Sequence, residues 1–157
     1  MQESEANYAA AIYGSILVAA LISSLDEEHA TAGAMVLAVG STMVVFWLAH
    51  VWADAMAARI ERSAPLSFAR LRKMARRQWP MLQSAAIPLA LLAPAAVGAW
   101  SVTAGVDLAL AASVAQLAAW GAFIGLRTSS TWLGALLAGS VDAAFGLVIV
   151  VLKTLVH

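Results

Sequence analysis

TAGAMVLAVGSTMVVFWLAHVWADAMA, residues 31–57, holds a single formal charge, Asp54, in a run longer than the roughly 20 apolar residues that cross a hydrocarbon core. Four further stretches share its character: about 8–25 before it, and about 80–100, 106–126 and 131–152 after it. Composition points the same way. The 157 residues are 62% hydrophobic and 11% charged, with mean hydropathy +0.84. A soluble domain carries about 45–50% apolar and about 25% charged residues, so a water-soluble globule is excluded. Alanine is abundant and aromatics are few, and no stretch alternates polar with apolar residues as the strands of a membrane barrel would. The expected fold is all-α: one polytopic membrane bundle over residues 1–157 with five transmembrane helices.

Formal net charge is zero, yet seven of the nine basic residues fall between positions 59 and 77. The positive-inside rule places that loop in the cytoplasm, with the N-terminus on the same side. The acidic Asp26-Glu27-Glu28-His29 turn and the C-terminus then lie outside. Arg127 falls inside and Lys153 outside, so the bias is eight cations to one. The acidic start MQESEAN has no cationic n-region, and the first apolar stretch reads as a permanent span. Trp79 and Trp100 bracket the third span about 31 Å apart along a helix, the spacing of two interfacial anchors.

Inside the basic loop, Ser63-Ala64-Pro65 breaks the chain and Ser67 is placed to cap a new helix over about 67–79. Phe68, Leu71, Met74, Ala75, Gln78 and Trp79 recur at spacings of three and four. Arg70, Arg72, Lys73, Arg76 and Arg77 take the other side. Such a helix lies in the cytoplasmic interface, with its cations toward anionic lipid headgroups. Anchoring of the topology suffices to explain it, and gating or partner docking is the functional alternative. Nucleic-acid binding is a poor reading of so short a patch beside two spans.

Polar groups deep in a bilayer are costly, so their depth is informative. Span midpoints put Ser15, Ser41, Thr42, Gln116 and Asp142 in one layer. Asp142 stands out, because a mid-membrane carboxylate costs roughly 2.5–3.5 kcal/mol on insertion scales, and no Lys or Arg shares its depth. Gln116, Ser113 and hydroxyls of the first two spans are its expected companions. It reads either as an ion-coordinating or proton-carrying group, or as a protonated acid that ties helices together. His50 and Asp54, at i and i+4, share a helical face near the cytoplasmic end of the second span. A carboxylate one turn away favours the imidazolium, which makes the pair a candidate proton relay or pH sensor. The plainer reading is a pair fixing a helix end beside Arg59 and Arg62.

Catalytic and metal signals are weak. There are no cysteines, and His50 with Asp54 supplies two ligands where a transition metal usually takes three or four. One histidine within a span argues against bis-histidine haem. No serine, histidine and acid are spaced as an activated nucleophile. Neither an enzyme nor a cofactor is expected. Gly121 and Gly125 form a GxxxG of the helix-packing kind. Pro88 and Pro94 bend or loosen the third span, freeing carbonyls that line a cavity or find other partners. No internal repeat aligns without a large insertion.

AIYGSILVAAL in the first span and FWLAHVWADAM in the second resemble a pattern found in small, uncharacterised bacterial multi-pass membrane proteins. The resemblance covers roughly the first 57 residues. It implies a bacterial plasma-membrane protein and transfers no activity.

Five spans are few for a pathway through one protomer, so the leading expectation is a homo-oligomeric channel or proton-linked cation conduit. Asp142, Gln116, Ser113, Ser41, Thr42 and Ser15 would form its midplane layer, and His50 with Asp54 a pH-sensitive vestibule. The alternative is a non-catalytic accessory or scaffold subunit docked to a membrane-protein partner. A metal-dependent intramembrane enzyme ranks last.

Overall fold

The computed structural model describes residues 2–27, 30–62 and 67–129 and, further on, 132–134, 136–137, 139–141, 144 and 148. All regular structure among these residues is helical. Five helices have continuous bounds among the described residues: α1 (Gln2–Glu27), α2 (Ala32–Arg62), α3 (Phe68–Gln83), α4 (Ala86–Ala96) and α5 (Val102–Ser129).

Hydroxyl side chains set three of the helix starts. Thr31 Oγ1 accepts the Ala34 N–H at 3.3 Å, Ser67 Oγ that of Arg70 at 3.4 Å, and Ser101 Oγ that of Ala104 at 3.1 Å. α4 ends in a Schellman motif: Gly98 at φ 76° lets its N–H reach Ala95 O at 3.2 Å and the Ala99 N–H reach Pro94 O at 3.0 Å.

Among the described residues, three segments are long and apolar enough to cross a membrane: Tyr8–Asp26, Ala32–Ile60 and Val102–Arg127. α3 and α4 together pass the same test as a pair bent by 50°, which makes four. The fifth expected span, about 131–152, lies largely outside the described residues.

The third span departs from expectation. The span expected over about 80–100, bent or loosened at Pro88 and Pro94, is instead divided before Pro88: α3 runs through Pro80 to Gln83, the chain breaks at Ser84 and Ala85, and an 11-residue α4 follows. α4 is about 16 Å long, half a hydrocarbon core. Two local causes act at the break. Pro88 has no N–H for the carbonyl of Ser84 four residues earlier, and Ser84 Oγ turns back to donate to Met81 O at 2.6 Å.

α1 packs against α3 and α5, α4 against α5, and α2 against α3 and α4. The N-terminal half of α1, the C-terminal halves of α2 and α5, and α3 share one end of the bundle. Tyr13 meets His50 there, and Tyr8 meets Phe123. We call this the α3 end. α1 enters the core with a stripe of mostly small residues in adjacent pairs: Ala10 and Ala11, Gly14 and Ser15, Val18 and Ala19, Ile22 and Ser23. Small side chains let helix backbones approach closely. α2 contributes Ala32, Met35, Val39 and Met43, and turns Leu37, Val45, Leu48 and Trp52 outward. Long helices with large apolar residues on their outer faces are compatible with insertion in lipid.

The cation-rich α3 presents Leu71, Met74, Ala75 and Gln78 inward, half-buried. Phe68 and Trp79, expected on the same face, are exposed. Trp79 lies one residue, or 100°, past Gln78, on the flank of the contact, where its ring meets Trp47 edge-on at 6.1 Å.

Candidate functional site

Halfway along α5, the Gln116 amide joins three elements. Its Nε2 donates to Ser15 Oγ of α1 at 3.1 Å and to the Ser84 carbonyl at the α3–α4 break at 3.3 Å. Ser15 in turn donates to Ala11 O at 2.9 Å. The Ser84 carbonyl only accepts, which fixes the amide orientation and turns Oε1 away from it. Oε1 is buried and, among the described residues, has no hydrogen-bond partner. A buried acceptor left unmatched costs about 1–3 kcal/mol, so it marks a place where a donor would be stabilising.

Gln116 also borders a cavity of about 690 Å³ between α1, α5 and the break. Tyr8, Ile87, Trp120 and Phe123 form its apolar walls, with Pro80, Gln83 and Ser84 along the break. Tyr8 packs against Trp120 at 5.8 Å and against Phe123 at 5.5 Å between ring centroids. The Arg127 guanidinium sits 5.0 Å from the centre of the Phe123 ring, a cation–π contact. Among the described residues, none of those lining the cavity is charged. The volume falls within the range of about 300–1,000 Å³ typical of small-molecule sites, and a mostly apolar wall with one or two polar groups is their usual chemistry.

A second polar group gathers at the α3 end. The Asp54 carboxylate accepts from Gln78 Nε2 of α3 at 2.9 Å. His50 Nδ1 bonds the Phe46 carbonyl of its own helix at 2.8 Å, and its ring lies 5.3 Å from that of Tyr13. His50 and Asp54 thus share a face as their spacing implies, yet each engages a different neighbour. Trp47 Nε1 donates to Ala75 O at 3.1 Å, tying α2 to α3. Between these two helices a smaller pocket of about 300 Å³ is lined by Asp54, Ala57, Ala58, Arg70, Lys73, Met74 and Arg77.

The expected midplane layer divides. Ser15 and Gln116 meet directly, and Ser113 is buried close by, bonded to Ala109 O at 2.9 Å. Ser41 is exposed and bonded to Ala38 O at 3.1 Å, and Thr42 beside it is half-buried. Asp142 lies outside the described residues. Of the basic set, Arg70, Lys73 and Arg77 line the small pocket and Arg72 and Arg76 do not, while all but the half-buried Arg77 are exposed. Sequence reasoning gave no site role to Ser84, Gln78, Tyr13 or the aromatic wall. Only Ser84 carried a usable signal, since it sits four residues before Pro88.

Among the described residues, no group of three or more His, Asp or Glu is placed to hold a metal ion. No family model, curated protein or solved structure matches this chain.

Proposed function

We propose that this chain is an integral membrane protein that binds a neutral amphipathic ligand, without chemistry, in the cavity between α1, α5 and the α3–α4 break. The single observation that carries the reading is the aromatic-walled cavity bordered by Gln116 and lined, among the described residues, by no charged side chain. The apolar walls suit a hydrocarbon body, and the few polar residues beside them, Gln83, Ser84 and Gln116, suit a small uncharged polar head. Broken helices with polar groups near their interruption are a common way for membrane proteins to build such sites. The reading places the protein in a bacterial plasma membrane, with the N-terminus and the basic α3 cytoplasmic. In that setting α3 anchors the bundle at the interface.

Photolabelling of the purified full chain with a diazirine-bearing long-chain alcohol tests this reading. Saturable labelling confined to Tyr8, Trp120 and Phe123, lost on Ala119→Phe, supports it. Labelling spread evenly over the outward face of α2 overturns it.

The second reading is the homo-oligomeric, proton-linked cation conduit, favoured by one observation: an acid, Asp142, within an apolar stretch. Flux from proteoliposomes decides it. A scaffold role beside a membrane-protein partner is what remains if neither ligand nor flux is found.

A further inference from the structure

Resting on that ligand-binding reading, we propose that the cavity is filled sideways from the bilayer, by a single-chain lipid whose head bears a hydroxyl and no charge, held at Gln83. The route follows from how the helices diverge. α4 lies along α5, whereas α3, bent 50° from α4, leans on α1 and α2. α3 and α5 therefore part at the break, and α1 floors the gap with Tyr8 and Ala11. Gln83, Ile87 and Ala119 belong to the lining and are also exposed, so they mark the opening. All three sit within one turn of Ser84 or Gln116, and Gln116 is about 20 Å from either end of α5. An opening at that depth of a spanning bundle faces hydrocarbon, not water. Beyond α5, Gly139 fits against Ala118 and Ala122, on the side of α5 turned away from the cavity.

Gln83 selects the head. Its amide is exposed at the opening, and among the described residues no hydrogen bond engages it. An amide left bare in hydrocarbon is costly, and a hydroxyl can donate to its oxygen or accept from its nitrogen. A charged head carried to the same depth is penalised far more heavily, and among the described residues the lining offers it no counter-charge. Arg127, the cation on the Phe123 ring, lies about 16 Å along α5 from Gln116. A volume of about 690 Å³ suits a head with part of one chain, and the rest of that chain stays in the lipid through the opening.

The chain has no cysteine, so Ile87→Cys carries a single nitroxide at the opening and Leu48→Cys one on the outward face of α2. Both positions are exposed, so neither label disturbs the core. In proteoliposomes, electron paramagnetic resonance reads the collisions of each label with oxygen, concentrated in lipid, and with a nickel chelate confined to water. Oxygen is expected to dominate at both positions, and dodecanol to shield position 87 saturably while leaving position 48 unaffected. Gln83→Leu, also at an exposed site, should weaken that shielding about threefold, the worth of one intramembrane hydrogen bond. Dodecylammonium, with the same chain and a charged head, should shield at least about tenfold more weakly. Nickel dominating at 87 but not at 48 overturns entry from the lipid, and shielding by dodecanol in that case leaves ligand binding in the cavity standing. Equal shielding by dodecylammonium, or shielding untouched by Gln83→Leu, overturns the uncharged head at Gln83. Absence of shielding at 87 overturns the whole proposal, while photolabelling of Tyr8, Trp120 and Phe123 judges the underlying reading separately.

Discussion

Gln116 Nε2 donates to the Ser84 carbonyl at 3.3 Å, the carbonyl that Pro88 leaves without a helical partner. A side chain of α5 thereby takes over a backbone bond that α4 cannot make. The break and the α1–α5 contact become one interlocked unit, because the same amide nitrogen also holds Ser15.

Gln116→Leu removes both bonds and strands the Ser84 carbonyl. The expected loss is about 1–3 kcal/mol, given about 0.6 kcal/mol for an average intramembrane hydrogen bond plus the cost of the orphan. In Pro88→Ala a new N–H is available to Ser84 O, so the double variant should lose less than the sum of the singles. Unfolding in mixed micelles titrated with dodecyl sulfate measures the cycle. Strict additivity would show that Gln116 and Pro88 do not share that carbonyl.

Gly14 allows α1 to lie against the break. A Cβ there would overlap Ser84 Oγ and come within 2.8 Å of Met81 O. Among the described residues, Gly40 has only Leu89 Cδ1 in reach, at 3.9 Å. Gly14→Ala should therefore destabilise by about 1–3 kcal/mol through overpacking. Gly40→Ala should stabilise by up to about 1 kcal/mol through helix propensity. The same unfolding titration reads both, and the two signs must differ.

Trp47→Phe keeps an aromatic ring against Trp79 and deletes the indole bond to Ala75 O. A loss of about 0.5–1.5 kcal/mol is expected from one hydrogen bond between α2 and α3. Faster hydrogen exchange localised to α3 would accompany it. Unchanged exchange there would mean that the indole bond does not hold α3 in place.

Asp142→Asn separates the two functional readings. If the chain conducts cations, ion flux into proteoliposomes at pH 5.5 and 7.5 should exceed that of empty vesicles and fall to background in this variant. An absence of flux from correctly inserted protein rejects the conduit and leaves ligand binding in the cavity as the reading to pursue.

The long apolar helices, compatible with membrane insertion, and the shared level of two polar residues along them were legible in the sequence. Hydropathy marks the long apolar helices, Ser67 caps α3 where its side chain forecasts, and span midpoints bring Ser15 and Gln116 to a common level. Depth follows from counting residues at about 1.5 Å each, which needs no knowledge of neighbours. Rotation about the helix axis does not follow from counting. α1, α2 and α5 are apolar around most of their circumference, so nothing in their pattern declares an inward face. Packing alone turned Ser15 and Ser113 into the core and left Ser41 at the surface. It also gave Asp54 to Gln78 of α3, although His50 stands one turn away on the same helix. The break at Ser84 lay between these limits. Pro88 announced a carbonyl without a partner, but only the fold could bring Gln116, 32 residues along the chain, to supply one.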